Sequence, residues 1–190
     1  MNRNQQLVFP LWQGVHMPAL AYIGVGSNID AEANIRHALA LLVGQVELTG
    51  LSTFYRTAPI GRSGQPAFIN GVAAIRTQLA PRDVKFTLLR GIEQELGRVR
   101  GEDKYAPRPI DLDLLLYDEL VHAEEGLLLP DPEIVRRPFL AIPLCELDAG
   151  LCLPGCGIAL AELAATLPRA GMEPLPALTL LLRKEFSHES

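Results

Sequence analysis

Apolar residues recur along this chain with two periods, and the switches between them mark out a short series of elements. Residues 20–25 form an apolar strand-like segment that leaves through Gly24-Val25-Gly26-Ser27-Asn28, a turn-rich exit. Ile35, Leu39 and Leu42, spaced by three or four, then predict an amphipathic helix with Asp30 placed to cap it. A second strand region spans 46–57, where Phe54 alternates with Ser52 and Arg56. A third, 68–77, sets Ile69, Gly71, Ala73 and Ile75 on one face, and a linker rich in Pro and Gly separates the two. Pro81 suits a first helical turn, Val84, Leu88, Ile92 and Leu96 form an i, i+4 stripe, and Gly97 can end the helix. A fourth strand over 110–117 completes the order βαββαβ.

That order predicts an α+β fold of the ferredoxin-like, split βαβ kind. An antiparallel sheet carries both helices on one face and leaves the other for a ligand or for additional elements. Residues 118–190 carry many prolines and a helix expected over 159–167, and read as an appendage to the same core. Residues 1–17 show neither period and are expected to be a disordered extension or a misassigned start. Residues 18–182 are expected to form a single domain, and 183–190 a polar tail.

Composition narrows the class. A chain of 190 residues, 48% hydrophobic and 21% charged, suits one soluble globular core and not a disordered chain. The longest apolar run, 38–43, falls far short of the roughly 20 residues of a membrane-spanning helix. The N-terminus lacks a signal-peptide stretch and three cysteines are an odd number, so a reducing cytoplasmic setting is expected. A net charge of −5 argues against a general nucleic-acid binder.

Against this acidic background Arg98, Arg100, Lys104 and Arg108 crowd into residues 98–108, directly before Asp111-Leu112-Asp113. On a strand the two aspartates project from one face, about 6.5 Å apart, while Leu112 and Leu114 face the other way into a core. Such a pair repels unless a cation sits between its members. An all-oxygen site of this kind suits magnesium, with polyphosphate completing the shell, and neighbouring guanidinium groups can grip phosphates bidentately. Taken alone, the pair could equally be a solvated strand edge and the cations a solvated loop.

Other nucleotide and metal signatures are missing. There is no Gly-x4-Gly-Lys-Ser/Thr loop, and the lysines are Lys85, Lys104 and Lys184 alone. Gly24-x-Gly26 lacks the third glycine of a dinucleotide fingerprint and reads as a tight turn after the first strand. The histidines at 16, 37, 122 and 188 are scattered, and Cys152-x3-Cys156 lacks a second ligand pair, so packed thiols are expected and not zinc.

The run Lys104-x-Ala106-Pro107-Arg108-x-x-Asp111-Leu112-Asp113-Leu114-Leu115 resembles the signature of the 6-hydroxymethyl-7,8-dihydropterin pyrophosphokinase family of folate biosynthesis. The resemblance extends over residues 19–170. It includes Tyr22-Ile23-Gly24-Val25-Gly26-Ser27-Asn28, Phe54-Tyr55-Arg56-Thr57-Ala58-Pro59-Ile60-Gly61, Gln65-Pro66-Ala67-Phe68-Ile69-Asn70, Gly97-Arg98-Val99-Arg100 and Arg137-x-Phe139-x-x-x-Pro143-Leu144.

This resemblance implies an enzyme, an ATP-dependent pyrophosphokinase that moves the β,γ-pyrophosphoryl group of ATP to the pterin hydroxymethyl oxygen and releases AMP. By the same resemblance Asp111 and Asp113 would bind two magnesium ions. Arg98, Arg100, Arg108 and Arg137 would hold phosphates, with Arg98 and Arg108 offsetting charge that grows during transfer. The pterin would lie between Tyr105 and Phe139, beside Phe68, with Asn70 and the Thr57, Ala58, Pro59 and Ile60 backbone reading its amide-like edge. Asp131 stands on the ATP side where the family commonly has His, and Tyr105 replaces a frequent Trp. ATP and the pterin are the implied partners, with no nucleic acid, membrane or obligate protein partner. The chain is too short for a fused aldolase or synthase. The competing expectation is a pterin- or nucleotide-binding protein of the same fold with impaired catalysis.

Overall fold

Both faces of β1 (Ala19–Ser27) are covered, which is why the strand is buried along nearly its whole length. The structure, a computed structural model, describes residues 17–59, 64–99, 101 and 106–186, so all but Met17 of the extension expected over 1–17 lies outside the described residues. Ala21, Ile23 and Val25 point into one apolar layer, whereas Tyr22 points into a second. Against the first layer α1 (Ala31–Val43) buries Ile35, Ala38, Leu39 and Leu42. Burying each of the larger of these contributes roughly 1.5–3 kcal/mol. Asp30 does stand at the helix start, but with a left-handed backbone and no capping bond from its side chain.

The second strand region is two strands, β2 (Glu47–Leu51) and β3 (Tyr55–Thr57). The break between them has a packing cause. Phe54 turns its ring into the core over Gly71, where a Cβ would stand 2.8 Å from the ring, and Ser52 Oγ accepts the Val72 N–H at 2.8 Å. Both strands pair with β4 (Phe68–Thr77), β2 at its far half and β3 at residues 68–70.

The second helix begins with Pro81 in α2 (Pro81–Asp83), widens into a π-helical stretch (Val84–Leu89) and continues as α3 (Arg90–Glu95). A strict i, i+4 stripe drifts around an α-helix of 3.6 residues per turn. The wider π turn keeps Val84, Leu88 and Ile92 on the buried face. The helix gives out at Gly97, whose φ is 78°.

Next come β5 (Asp111–Tyr117), a hairpin of β6 (His122–Glu124) and β7 (Leu127–Leu129), α4 (Pro138–Leu147), α5 (Leu160–Thr166), β8 (Met172–Pro174) and α6 (Pro176–Phe186). The main sheet runs β5-β1-β4-β3-β8, with β2 also on β4, and every pairing is antiparallel. Side chains of α1, the π-containing helix and α6 fill one face, and those of α4 and α5 fill part of the other. The expected antiparallel sheet with helices is therefore present. The expected polar tail begins too early, because α6 runs through Phe186. Its Arg183 donates to Leu51 O at 2.9 Å, its Glu185 pairs with Arg36, and Phe186 packs on the core. Residues 187–190 lie outside the described residues. No helix among the described residues is long and apolar enough to cross a membrane.

Candidate active site

The open part of the α4 face holds a cavity of about 290 Å³, and strand register explains its floor. Across the β1–β5 pair, Gly24 lies opposite Asp113 and Gly26 opposite Asp111. On the other side of β1, Gly26 lies opposite Asn70. A Cβ on Gly26 would stand 2.6 Å from Asn70 Oδ1, so only glycine leaves room for that side chain. Both glycines are thus inside β1 and form part of the cavity lining, in place of the tight turn expected after a shorter strand. Asp111 and Asp113 share one face of β5, as their spacing predicts, while Leu112 and Leu114 enter the first core layer.

The end of β1 also holds the basic segment. Asn28 Oδ1 accepts the Arg108 N–H at 2.8 Å, the Asn28 N–H returns a bond to Arg108 O at 3.2 Å, and Ser27 Oγ donates to Pro109 O at 2.5 Å. Arg108 then reaches Asp111 at 2.6 Å and stands 5.9 Å from the centre of the Phe68 ring, within cation–π range.

Arg98 is more deeply set, its side chain only 10% exposed, and pairs with both Asp111 and Glu93. Burial works against its charge, but Asp111 and Glu93 outweigh burial and hold the guanidinium above its ordinary pKa. Glu93, buried on α3, also accepts the Leu112 N–H at 2.9 Å, which binds helix, arginine and β5 into one network. No sequence signal short of a lone acid on the apolar side of a helix pointed to Glu93.

The two aspartates are chemically unequal. Asp111 is shared by two arginines, whereas no described residue hydrogen-bonds the Asp113 carboxylate. Burial, and then the charges of Asp111 and Asp131, push Asp113 up to about 7, with Lys85 opposing them. Asp131 is raised too, mainly by burial, against the Glu133 N–H and Lys85. Its amide donates to Leu115 O and its Oδ1 accepts the Glu133 N–H, both at 2.8 Å, which holds it on the rim. Arg137 precedes α4 and donates from Nε to Glu133 at 2.7 Å.

On the β4–β3 side of β1, across from β5, Phe68, Asn70, Thr57 and Ala58 line the same cavity together with Phe139 from α4, and Asn70 Nδ2 donates to Thr57 Oγ1 at 2.8 Å. Of the predicted site residues, Thr57, Ala58, Phe68, Asn70, Arg108, Asp111, Asp113, Asp131, Arg137 and Phe139 line this one cavity, and Arg98 supports it from beneath Asp111. Pro59 is not on its lining. Ile60, Arg100 and Tyr105 lie outside the described residues. Leu115, Glu133 and Leu140 also line the cavity without having been expected there.

A carboxylate that burial and like charge drive toward protonation is relieved by a cation, and an all-oxygen donor set suits magnesium. Among the described residues no three acid, His or Cys side chains group closely enough to enclose a metal. The pair therefore fits an ion whose remaining ligands are phosphate oxygens and water.

Comparison with known proteins extends this geometry. The family model described as 7,8-dihydro-6-hydroxymethylpterin-pyrophosphokinase matches residues 22–149. The chain is 39% identical over 158 residues to the 2-amino-4-hydroxy-6-hydroxymethyldihydropteridine pyrophosphokinase of Pseudomonas aeruginosa, covering 82% of this chain and 96% of that one. It is 38% identical over 141 residues to the protein of the same name from Haemophilus influenzae, covering 73% and 87%. The crystal structure of Plasmodium falciparum HPPK-DHPS wild type with SDX-DHP superposes with a TM-score of 0.63 at 12% identity, over 78% of this chain and 44% of that longer one, a likeness of fold alone. The matched segment begins on β1 and ends just beyond α4, so it contains both the floor and the walls of the cavity, and the chain belongs to the 7,8-dihydro-6-hydroxymethylpterin-pyrophosphokinase family.

Proposed function

We propose that the protein transfers the pyrophosphoryl group of ATP to the hydroxymethyl oxygen of 6-hydroxymethyl-7,8-dihydropterin, giving AMP and the pterin diphosphate, in folate biosynthesis. One observation carries this. A single cavity is lined both by Asp111, Asp113 and arginines and by Phe68, Phe139 and Asn70, and Arg108 reaches from Asp111 to the Phe68 ring. A reaction between a polyphosphate and a flat heteroaromatic alcohol needs both sets in one cavity.

In this reading Phe139 and Phe68 hold the pterin ring, and Asn70 with Thr57 answers its polar edge. That sets the hydroxyl oxygen toward the β-phosphorus for in-line displacement of AMP. Asp111 and Asp113 would hold two magnesium ions, which would supply positive charge to neutralise the phosphate oxygens. Arg108 and Arg98 oppose charge that grows as the bond to AMP breaks, and Arg137 binds phosphates, a role assigned to Arg100 as well. Because Arg98 and Arg108 are already held beside Asp111, little reorganisation is needed when the phosphates arrive. Tyr105 is assigned to the pterin side, Asp131 to the rim on the nucleotide side. The core strands and two long helices are assigned to the ferredoxin-like arrangement, with the elements after β5 appended to it. Cys145, Cys152 and Cys156 are free thiols, in keeping with a cytoplasmic location.

The test is AMP formation from ATP, magnesium and 6-hydroxymethyl-7,8-dihydropterin by the purified full chain. Stoichiometric AMP and pterin diphosphate are expected. Binding of both ligands with no AMP would replace this reading with that of a binding protein.

A further inference from the structure

The two walls of the aromatic side of the cavity come from distant parts of the chain, and one acid ties them together. Thr57 belongs to β3, whereas Phe139 stands on the first turn of α4. At the last turn of α4, Glu146 accepts two bonds from the chain leading into β3, the Tyr55 O–H at 2.5 Å and the Thr53 N–H at 2.7 Å. Tyr55 and Thr57 are two residues apart on one strand and point to the same side. Tyr55 pairs in register with Asn70 and Thr57 with Phe68, so the strand that Glu146 grips is the strand beside the slot.

The helix needs such a tie. Pro143 lies inside α4 and removes one of its internal hydrogen bonds, so the helix gains from an anchor outside itself. Each end has its own anchor. Arg137 is paired with Glu133 at the start, and Glu146 is bound to Tyr55 and Thr53 at the finish, with Ile142 and Tyr55 sharing one small buried cluster between them.

We propose that Glu146 is a positioning residue for the pterin slot: through Tyr55 and the Thr53 amide it holds α4, and with it Phe139, at a fixed distance from the strand that carries Thr57. The inference rests on the activity proposed above and adds to it a residue outside the cavity lining. Burial and the Glu146 carboxylate together push the Tyr55 phenol up to about 12, so the bond keeps its proton throughout the working range of pH. A flat ring between two walls is sensitive to their separation, and misplacement by about 1 Å can cost on the order of 100-fold in rate. Loosening one end of α4 is a smaller perturbation than that.

The experiment measures steady-state kinetics of AMP formation and calorimetric binding of each substrate for Glu146→Ala, Tyr55→Phe and Glu146→Gln. Glu146→Ala and Tyr55→Phe are each expected to raise the pterin KM about five- to twentyfold, with kcat at saturating pterin within about twofold and ATP binding unchanged. The double variant should be no worse than Glu146→Ala, because both act through one contact. Glu146→Gln keeps one oxygen to accept the Thr53 N–H, and its amide NH2 can donate to the Tyr55 oxygen instead, so it should recover part of the pterin affinity that Glu146→Ala loses. Leu182→Val, in the core on the opposite face, should lower Tm and leave the pterin KM alone. An unchanged pterin KM in Glu146→Ala, or equal losses for ATP and pterin, would overturn the inference and leave Glu146 a general stabiliser. Wild-type protein that makes no AMP and binds no pterin would instead overturn the activity, and this inference with it.

Discussion

Replacing Asp113 by Asn should change how stability of the free protein depends on pH. The Asp113 carboxyl is pushed from an ordinary 3.8 up to about 7 in the fold. Between those values the folded chain keeps a proton that the unfolded chain has released. Stability therefore falls as pH rises across that window, and the whole loss is present above it. At about 1.4 kcal/mol per tenfold in proton affinity, the ceiling is about 4 kcal/mol. Because nearby arginines can shift toward it and water can reach it as the site relaxes, about 1–2 kcal/mol is the expected size. Urea unfolding with EDTA from about pH 4 to pH 8, run on wild type and Asp113→Asn, isolates the effect as a difference, since other carboxylates contribute equally to both. The variant should gain on wild type steadily as pH rises and be the more stable protein at pH 8, with the m-value unchanged. Parallel curves, or a variant that is weaker at pH 8, would refute the view that Asp113 is held in the fold at electrostatic expense.

Asp111→Ala should behave in the opposite sense. It strips a partner from the nearly buried Arg98 and from Arg108, so the free protein should lose about 1–3 kcal/mol in the same unfolding assay; both aspartate variants should make no AMP. Phe139→Ala and Asn70→Ala should each weaken pterin binding by about 1–3 kcal/mol in calorimetry, through lost stacking and a lost edge partner respectively. A nucleotide analogue should bind both as it binds wild type; equal losses would show that these residues only support the core. Lys85, whose charge acts on both Asp113 and Asp131, should matter to the nucleotide: Lys85→Met should cost about 1 kcal/mol of analogue affinity. Adding Asp131→Asn should restore it, whereas additive losses would separate the two residues.

Much of this protein is legible in periodicity. Alternation over 68–77 marked β4 at both ends, the Ile35, Leu39 and Leu42 stripe marked α1, and the i, i+2 spacing of Asp111 and Asp113 put both carboxylates on one face of β5. These features follow from which way successive side chains point, a property each segment carries locally. What periodicity does not report is the partner across space. Ser52 and Phe54 alternate as a strand would, yet the chain breaks there because Gly71 offers Phe54 a place. Gly24 and Gly26 look like a turn until register sets them opposite the two aspartates. Asp111 and Asp113 are alike in sequence; only the arrival of Arg98 and Arg108 at the first makes the second the unbalanced charge. Glu93 reads as an acid misplaced on an apolar helix face until Arg98 and the Leu112 amide meet it. A side chain's direction is fixed by the backbone on either side of it, but its electrostatic environment is made by residues far along the chain, and those are brought together only when the sheet and its helices pack.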